Sequence, residues 1–265
     1  MKIKDITDFL ETIAPLQYQE KYDNAGLIVG NRENEFKGAL ICLDSTEEVI
    51  DEAITLGYNL VIAHHPIIFQ GIKKLTGKTY IGRTILKAIK NDIAIYAAHT
   101  NLDNAFHNGV STKIAAKLEL DNLDILDPKP EFLLKGEKVG TGVIASLDQP
   151  IDEMEFLHYL KEKLNLQCLK HTSLRNKPIK KIAICGGACS FLLKKARMSG
   201  ADIFITADFK YHEYFDAEKE LIIADIGHYE SEIFTIELIY DILKNNFTNF
   251  AAQLTKIVTN PVKYL

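Results

Sequence analysis

The 265-residue sequence lacks any apolar run near the roughly 20 residues needed to cross a bilayer as a helix, so a helical membrane protein is not expected. Its opening, Met1-Lys2-Ile3-Lys4-Asp5-Ile6, has no long apolar core of the signal-peptide kind, and a cytoplasmic location is the expectation. Positive charge is not in excess: 31 Lys and Arg against 36 Asp and Glu give a formal net charge of −5. That balance argues against direct nucleic-acid binding through phosphate contacts. Cysteine is scarce. The four residues, Cys42, Cys168, Cys185 and Cys189, form no CxxC pair, and each lies in or beside an apolar stretch. A thiolate zinc site is disfavoured, and buried, reduced thiols are expected. No internal repeat or low-complexity tract is present.

What remains is the composition of an ordinary globular protein, 47% hydrophobic and 25% charged. Helical periodicity covers 3–13, 46–56 and 79–91, and a further helix is expected over 108–118. Short apolar runs at 27–29, 38–43, 59–63 and 93–98 alternate with them and read as strands. Such alternation predicts an α/β fold with parallel pairing and right-handed crossovers. Asp127-Pro128-Lys129-Pro130 reads as an extended connector, because proline restricts itself and its predecessor. A second set of elements follows: strands over 139–147, 180–185 and 201–206, and helices over 154–164 and 191–198. The expectation is two interleaved α/β domains, one discontinuous (1–126 plus 221–265) and one inserted (127–220), with the site at strand carboxyl ends in the cleft between them.

Three apolar runs end in residues that bind metals. Asn59-Leu60-Val61-Ile62-Ala63 ends in His64-His65-Pro66. Ile93-Ala94-Ile95-Tyr96-Ala97-Ala98 ends in His99-Thr100-Asn101-Leu102-Asp103. Leu221-Ile222-Ile223-Ala224-Asp225-Ile226 ends in Gly227-His228-Tyr229-Glu230-Ser231-Glu232. Neutral imidazole is a common ligand for divalent transition ions. Adjacent residues on extended chain point to opposite sides, so His64 and His65 suit two neighbouring ions better than one. His228 and Glu232 are four apart at the start of a helical pattern and share a face. Asp103 is read as a carboxylate able to bridge two cations. His99 is read as donating to Asp103 or to a water, or as satisfying its own backbone. Asp23 and Asn24 are read as capping a local turn. Gly186-Gly187 is a tight turn or an anion cradle, and Thr206, Asp208 and His212 are candidates to line the cleft.

The segments Tyr22-Asp23-Asn24-Ala25-Gly26-Leu27, His64-His65-Pro66, His99-Thr100-Asn101-Leu102-Asp103 and Gly227-His228-Tyr229-Glu230-Ser231-Glu232 resemble, in order, the signatures of the Nif-three-like family. Members of that family are often described as GTP cyclohydrolase I type 2 homologues. Thr206-Ala207-Asp208 with Lys210-Tyr211-His212 extends the resemblance across nearly the whole chain. It implies a dinuclear metal site with ligands at His64, His65, Asp103, His228 and Glu232, a two-domain α/β subunit and a ring-shaped homohexamer. This chain lacks the long central insertion of larger members.

The nitrogen and oxygen donor set suits zinc, iron or manganese. Two such ions can activate water and polarise an electrophile, so hydrolysis of a C–N or P–O bond is the natural reaction class. The resemblance implies GTP ring opening to a dihydroneopterin product, and a nucleotide or phosphoester ligand is the expectation. Two other classes compete: a non-enzymatic metal carrier, and a scaffold that works through protein contacts.

Overall fold

The computed structural model describes residues 1–132, 138–248 and 250–265. The chain divides into two units, Met1–Leu102 with Thr235–Pro261 and Asp103–Phe234 with Val262–Leu265. Each is a mixed α/β body built on its own sheet.

In the first unit the strands Gly26–Val29, Ala94–Ala97, Leu60–Ala63, Ala39–Cys42 and Ala252–Leu254 lie side by side in that order. The last four run parallel, and Gly26–Val29 is antiparallel to its neighbour. Buried on both faces, the inner strands are continuous apolar runs rather than alternating ones. Helix Glu47–Leu56 starts where the Thr46 hydroxyl accepts the Val49 N–H, and helix Tyr80–Lys90 starts on Thr79 in the same way. Their apolar faces (Val49, Ile50 and Ala53; Ile85 and Ala88) pack on Leu40, Val61 and Ile95 of the sheet. Leu60, Ala39 and Ala94 are in register, so these three strands finish level at Cys42, Ala63 and Ala97. That alignment decides what stands at the rim.

In the second unit the order is Asp124–Pro128, Gly140–Ile151, Ile179–Ala188, Ile203–Ala207, Ile222–Asp225 and Lys170–His171. Ile179–Ala188, Ile203–Ala207 and Ile222–Asp225 are parallel, and the outer pairings are antiparallel. Ala183, Phe204 and Ile223 pack with Leu192, Leu193 and Ala196 to form one core. Helix Glu153–Lys163 is capped by Asp152, whose carboxylate accepts from Met154 N and Glu155 N. Its Glu153 is buried and paired with Arg175, which also reaches Asp202 at 2.8 Å.

Three features differ from the sequence reading. The unit boundaries fall at 102/103, 234/235 and 261/262, where the sequence reading expects 126/127 and 220/221. Helix Val110–Lys117 packs on strands Gly140–Ile151 and Ile179–Ala188, and strand Ile222–Asp225 pairs with Ile203–Ala207 and so carries His228 and Glu232 on the second unit's sheet. Asp127-Pro128 is not a bare connector but the end of an edge strand, a position where proline's missing N–H does no harm. Cys185 and Cys189 are joined as a disulfide instead of staying reduced: Gly186-Gly187 is not a turn but an irregularity in strand Ile179–Ala188, and the two Cα atoms lie 6.2 Å apart. Among the described residues, no helix is long and apolar enough to cross a membrane.

Candidate metal centre

In the first unit the level strand ends place three loops beside one another. His64 and His65 follow Leu60–Ala63, Asp44 follows Ala39–Cys42, and His99 follows Ala94–Ala97. The ladder continues one step past the strands: His64 N donates to Cys42 O, His65 N to Leu43 O and Ala98 N to Ala63 O. The backbone under both histidines is therefore fixed. His64 is fully buried, and its Nδ1 donates to Ala98 O at 2.7 Å. His65 Nδ1 meets Asp44 Oδ1 at 2.7 Å. Asp44 is held in turn by Thr259, whose hydroxyl donates to Oδ2 at 2.6 Å.

His99 is anchored from the other side. Its Nδ1 lies 2.8 Å from Asp23 Oδ1, and its backbone N–H donates to Asn101 Oδ1 at 2.9 Å. Asp23 also accepts from the Thr100 N–H and hydroxyl. Burial alone would push the Asp23 carboxyl up. The hydrogen bonds from His99, Thr100 and Asn24 outweigh it and hold the group at about 2, against an ordinary 3.8. Asp23 is thus an anion set against one imidazole, not merely a turn cap. The Phe69 ring stands edge-on to His99 with centroids 5.5 Å apart. One ring nitrogen from each of His64, His65 and His99 lies within 4.8 Å of the others, a grouping able to hold a metal ion.

In the second unit the same logic repeats on the other sheet. Asp208 follows Ile203–Ala207, and helix His228–Glu232 follows Ile222–Asp225. His228 Nδ1 meets Asp208 Oδ2 at 2.7 Å, and its Nε2 faces Glu232 Oε2 at 3.0 Å. The spacing of four thus puts both groups on one helical turn, as their separation predicts. Glu232 is buried, and its carboxylate lies over the Cα of Gly187, where any side chain would collide with it. Gly187 has φ +71° and is clamped by the Ser231 hydroxyl on its N–H and the Thr206 hydroxyl on its carbonyl. Gly187 makes room for the chain's own Glu232 carboxylate, and Gly186 for the side chains of Val110 and Ile114. His212 is exposed beside the Tyr211 and Phe215 rings and does not join this group. Asp103 is half-buried at the end of the short helix Thr100–Asp103.

The four histidines of these two groups share one arrangement. Each Nδ1 is held by an oxygen at 2.7 or 2.8 Å: Ala98 O, Asp44, Asp23 or Asp208. An imidazole that donates through Nδ1 carries its lone pair on Nε2, and such oxygen partners fix ring orientation in metal sites. This donor set, imidazole Nε2 plus carboxylate with no thiolate, fits a divalent transition ion. The sequence reading finds the histidines, takes Asp208 only as a candidate to line the cleft and Asp23 only as a turn cap, and passes over Asp44; His99 pairs with Asp23 rather than Asp103. Asp44 and Asp208 share one signal, an acidic residue just past a strand end.

The sequence profile of the family described as Duf34/NIF3 (NGG1p interacting factor 3) matches residues 1–261. A Clostridium perfringens protein named GTP cyclohydrolase 1 type 2 homolog is 38% identical over 233 residues, covering 88% of this chain and 87% of its own length. A Campylobacter jejuni protein of the same name is 32% identical across the full length of both. A solved Staphylococcus aureus structure superimposes with a TM-score of 0.89 at 30% identity, over 100% of this chain and 99% of the other. With the whole chain matched in sequence and in fold, the protein belongs to the Duf34/NIF3 family.

Proposed function

We propose that the protein is a metal-dependent hydrolase whose residues His64, His65, Asp103, His228 and Glu232 hold two divalent ions, with a purine nucleotide as substrate. The observation that carries this reading is the shared Nδ1–oxygen arrangement, which presets His64, His65 and His228 as Nε2 donors before any ion arrives and leaves the His99 Nε2 lone pair for a proton. Zinc, iron and manganese all suit the donor set. Bound there, such ions would lower the pKa of water and polarise an electrophile. The name shared by the Clostridium perfringens and Campylobacter jejuni relatives, GTP cyclohydrolase 1 type 2 homolog, supports GTP as the first substrate to try, with ring opening toward a dihydroneopterin product.

The chain's own groups supply the rest. His99 Nε2 accepts a proton during hydrolysis, and the Asp23 anion against Nδ1 stabilises the imidazolium that forms. Asp44 and Asp208 keep His65 and His228 in the ligating tautomer. Burial of His64 and Glu232 keeps water from competing with ligation.

The test combines metal content by elemental analysis with turnover of GTP and a phosphoester panel, for wild type and His65→Ala. Two ions per chain in wild type, lost together with turnover in the variant, support the reading. Two ions with no turnover of any nucleotide or phosphoester would replace it with the metal-carrier reading. Full turnover by metal-free protein would refute it.

A further inference from the structure

A carboxylate outside both histidine groups commands the approach to His228. Asp225 closes strand Ile222–Asp225 and is buried. Its Oδ1 accepts the Gly227 N–H at 3.2 Å, and its Oδ2 accepts the Phe209 N–H at 3.2 Å and the Tyr214 hydroxyl at 2.9 Å. Lys170 Nζ approaches Oδ2 at 2.7 Å. The two backbone donors are not arbitrary. Phe209 is the residue after Asp208, and Gly227 is the residue before His228, and these two neighbours form the 2.7 Å Nδ1–Oδ2 pair.

One member of the pair and the residue before the other have positive φ. Asp208 has φ +58° and Gly227 has φ +89°. A left-handed residue other than glycine costs roughly 1–2 kcal/mol and persists only where its surroundings hold it. One buried carboxylate therefore pins the strained backbone at Asp208 and the glycine turn before His228, each by the amide next to the residue that matters. We infer that Asp225 is a positioning residue for His228: it fixes the Asp208–His228 pair and thereby the direction of His228 Nε2. It touches no ion and no substrate. Lys170 offsets the charge of the buried carboxylate, and Tyr214 fills the remaining acceptor position.

The metal-affinity arm of the test rests on the proposed function; the imidazole arm does not. Asp225→Asn keeps the size but turns one oxygen into a donor, so one of the two backbone amides loses its acceptor. The probe in the first arm is the His228 ring itself, followed by nitrogen-15 NMR on metal-free protein. Wild type should show the Nδ1-protonated tautomer with a slowly exchanging Nδ1–H. Asp225→Asn should lose that slow exchange and mix tautomers, whereas Tyr214→Phe, which spares both backbone bonds, should not. Phe156→Leu, a core truncation in the same unit, lowers stability without touching these loops, and it should leave the His228 signals unchanged. In the second arm, zinc affinity by chelator competition should fall about tenfold in Asp225→Asn and stay unchanged in Phe156→Leu. Amide exchange on wild type serves where Asp225→Asn does not fold: Phe209 and Gly227 should both be protected. Unchanged His228 signals in folded Asp225→Asn, or fast exchange at both amides, would overturn the inference. Wild type that binds no zinc yet shows the His228 behaviour would remove the metal reading and leave the positioning role standing.

Discussion

Adding one methyl group at Gly187 should damage stability and ligation together. The residue holds φ +71°, and a Cβ built there runs into the Glu232 carboxylate. The left-handed backbone costs about 1–2 kcal/mol for alanine. Pushing aside a packed group adds roughly 1–3 kcal/mol, and reduced freedom of the unfolded chain returns about 0.4–1 kcal/mol. The net loss is about 2–4 kcal/mol, or roughly 5–15 °C in melting temperature for a unit of this size. Glu232 cannot retreat without leaving the 3.0 Å contact with His228 Nε2. Divalent-ion affinity should therefore fall by on the order of 10–100-fold. The assays are thermal unfolding of apo protein and zinc competition with a chromophoric chelator. Shortening the obstructing acid in Gly187→Ala/Glu232→Asp should recover part of the lost stability, down to the backbone strain that remains. Wild-type melting and wild-type zinc affinity in Gly187→Ala would refute the claim that the glycine exists to seat Glu232.

Three further outcomes are expected. The Asp23 carboxyl is held at about 2 against an ordinary 3.8, so its stabilisation is complete above roughly pH 5 and disappears as pH falls toward 2; the gap in melting temperature between wild type and Asp23→Asn should be widest at pH 5–7 and close by pH 2, and a constant gap would contradict it. Asp44→Ala removes the partner of His65 Nδ1 and should weaken zinc binding about tenfold, with Thr259→Val showing a smaller loss in the same competition assay. Thiol titration of denatured, unreduced protein should find two groups, Cys42 and Cys168, and four after reduction; four at the outset would show that the 185–189 bridge does not form.

Much of this architecture was legible because it is local. An apolar run that stops at His64 or His99 announces a strand end, and a spacing of four announces one helical turn for His228 and Glu232. What the sequence hid is what depends on neighbours far along the chain. The run 221–226 declares itself buried, but nothing in it says which sheet it joins. It joins Ile203–Ala207, and that moved the domain boundary. Asp44, Asp23 and Asp208 look like ordinary loop acids until strand pairing, parallel for Asp44 and Asp208 and antiparallel for Asp23, sets each against an imidazole 20 to 76 residues away. Gly187 looks like a turn glycine, and its purpose appears only when Glu232 arrives from 45 positions later to lie against it.

The Thr259–Asp44–His65 chain gives the site an order in time. Thr259 lies 215 residues beyond Asp44, so during synthesis His65 emerges from the ribosome long before the hydroxyl that steadies its carboxylate has been made. A nascent chain cut short of residue 259 would present His65 on an unbraced Asp44. The bracing of His65 is thus complete only once residue 259 has been made and folded back onto Asp44. Ribosome-bound chains stalled before that residue should bind zinc more weakly than the finished protein.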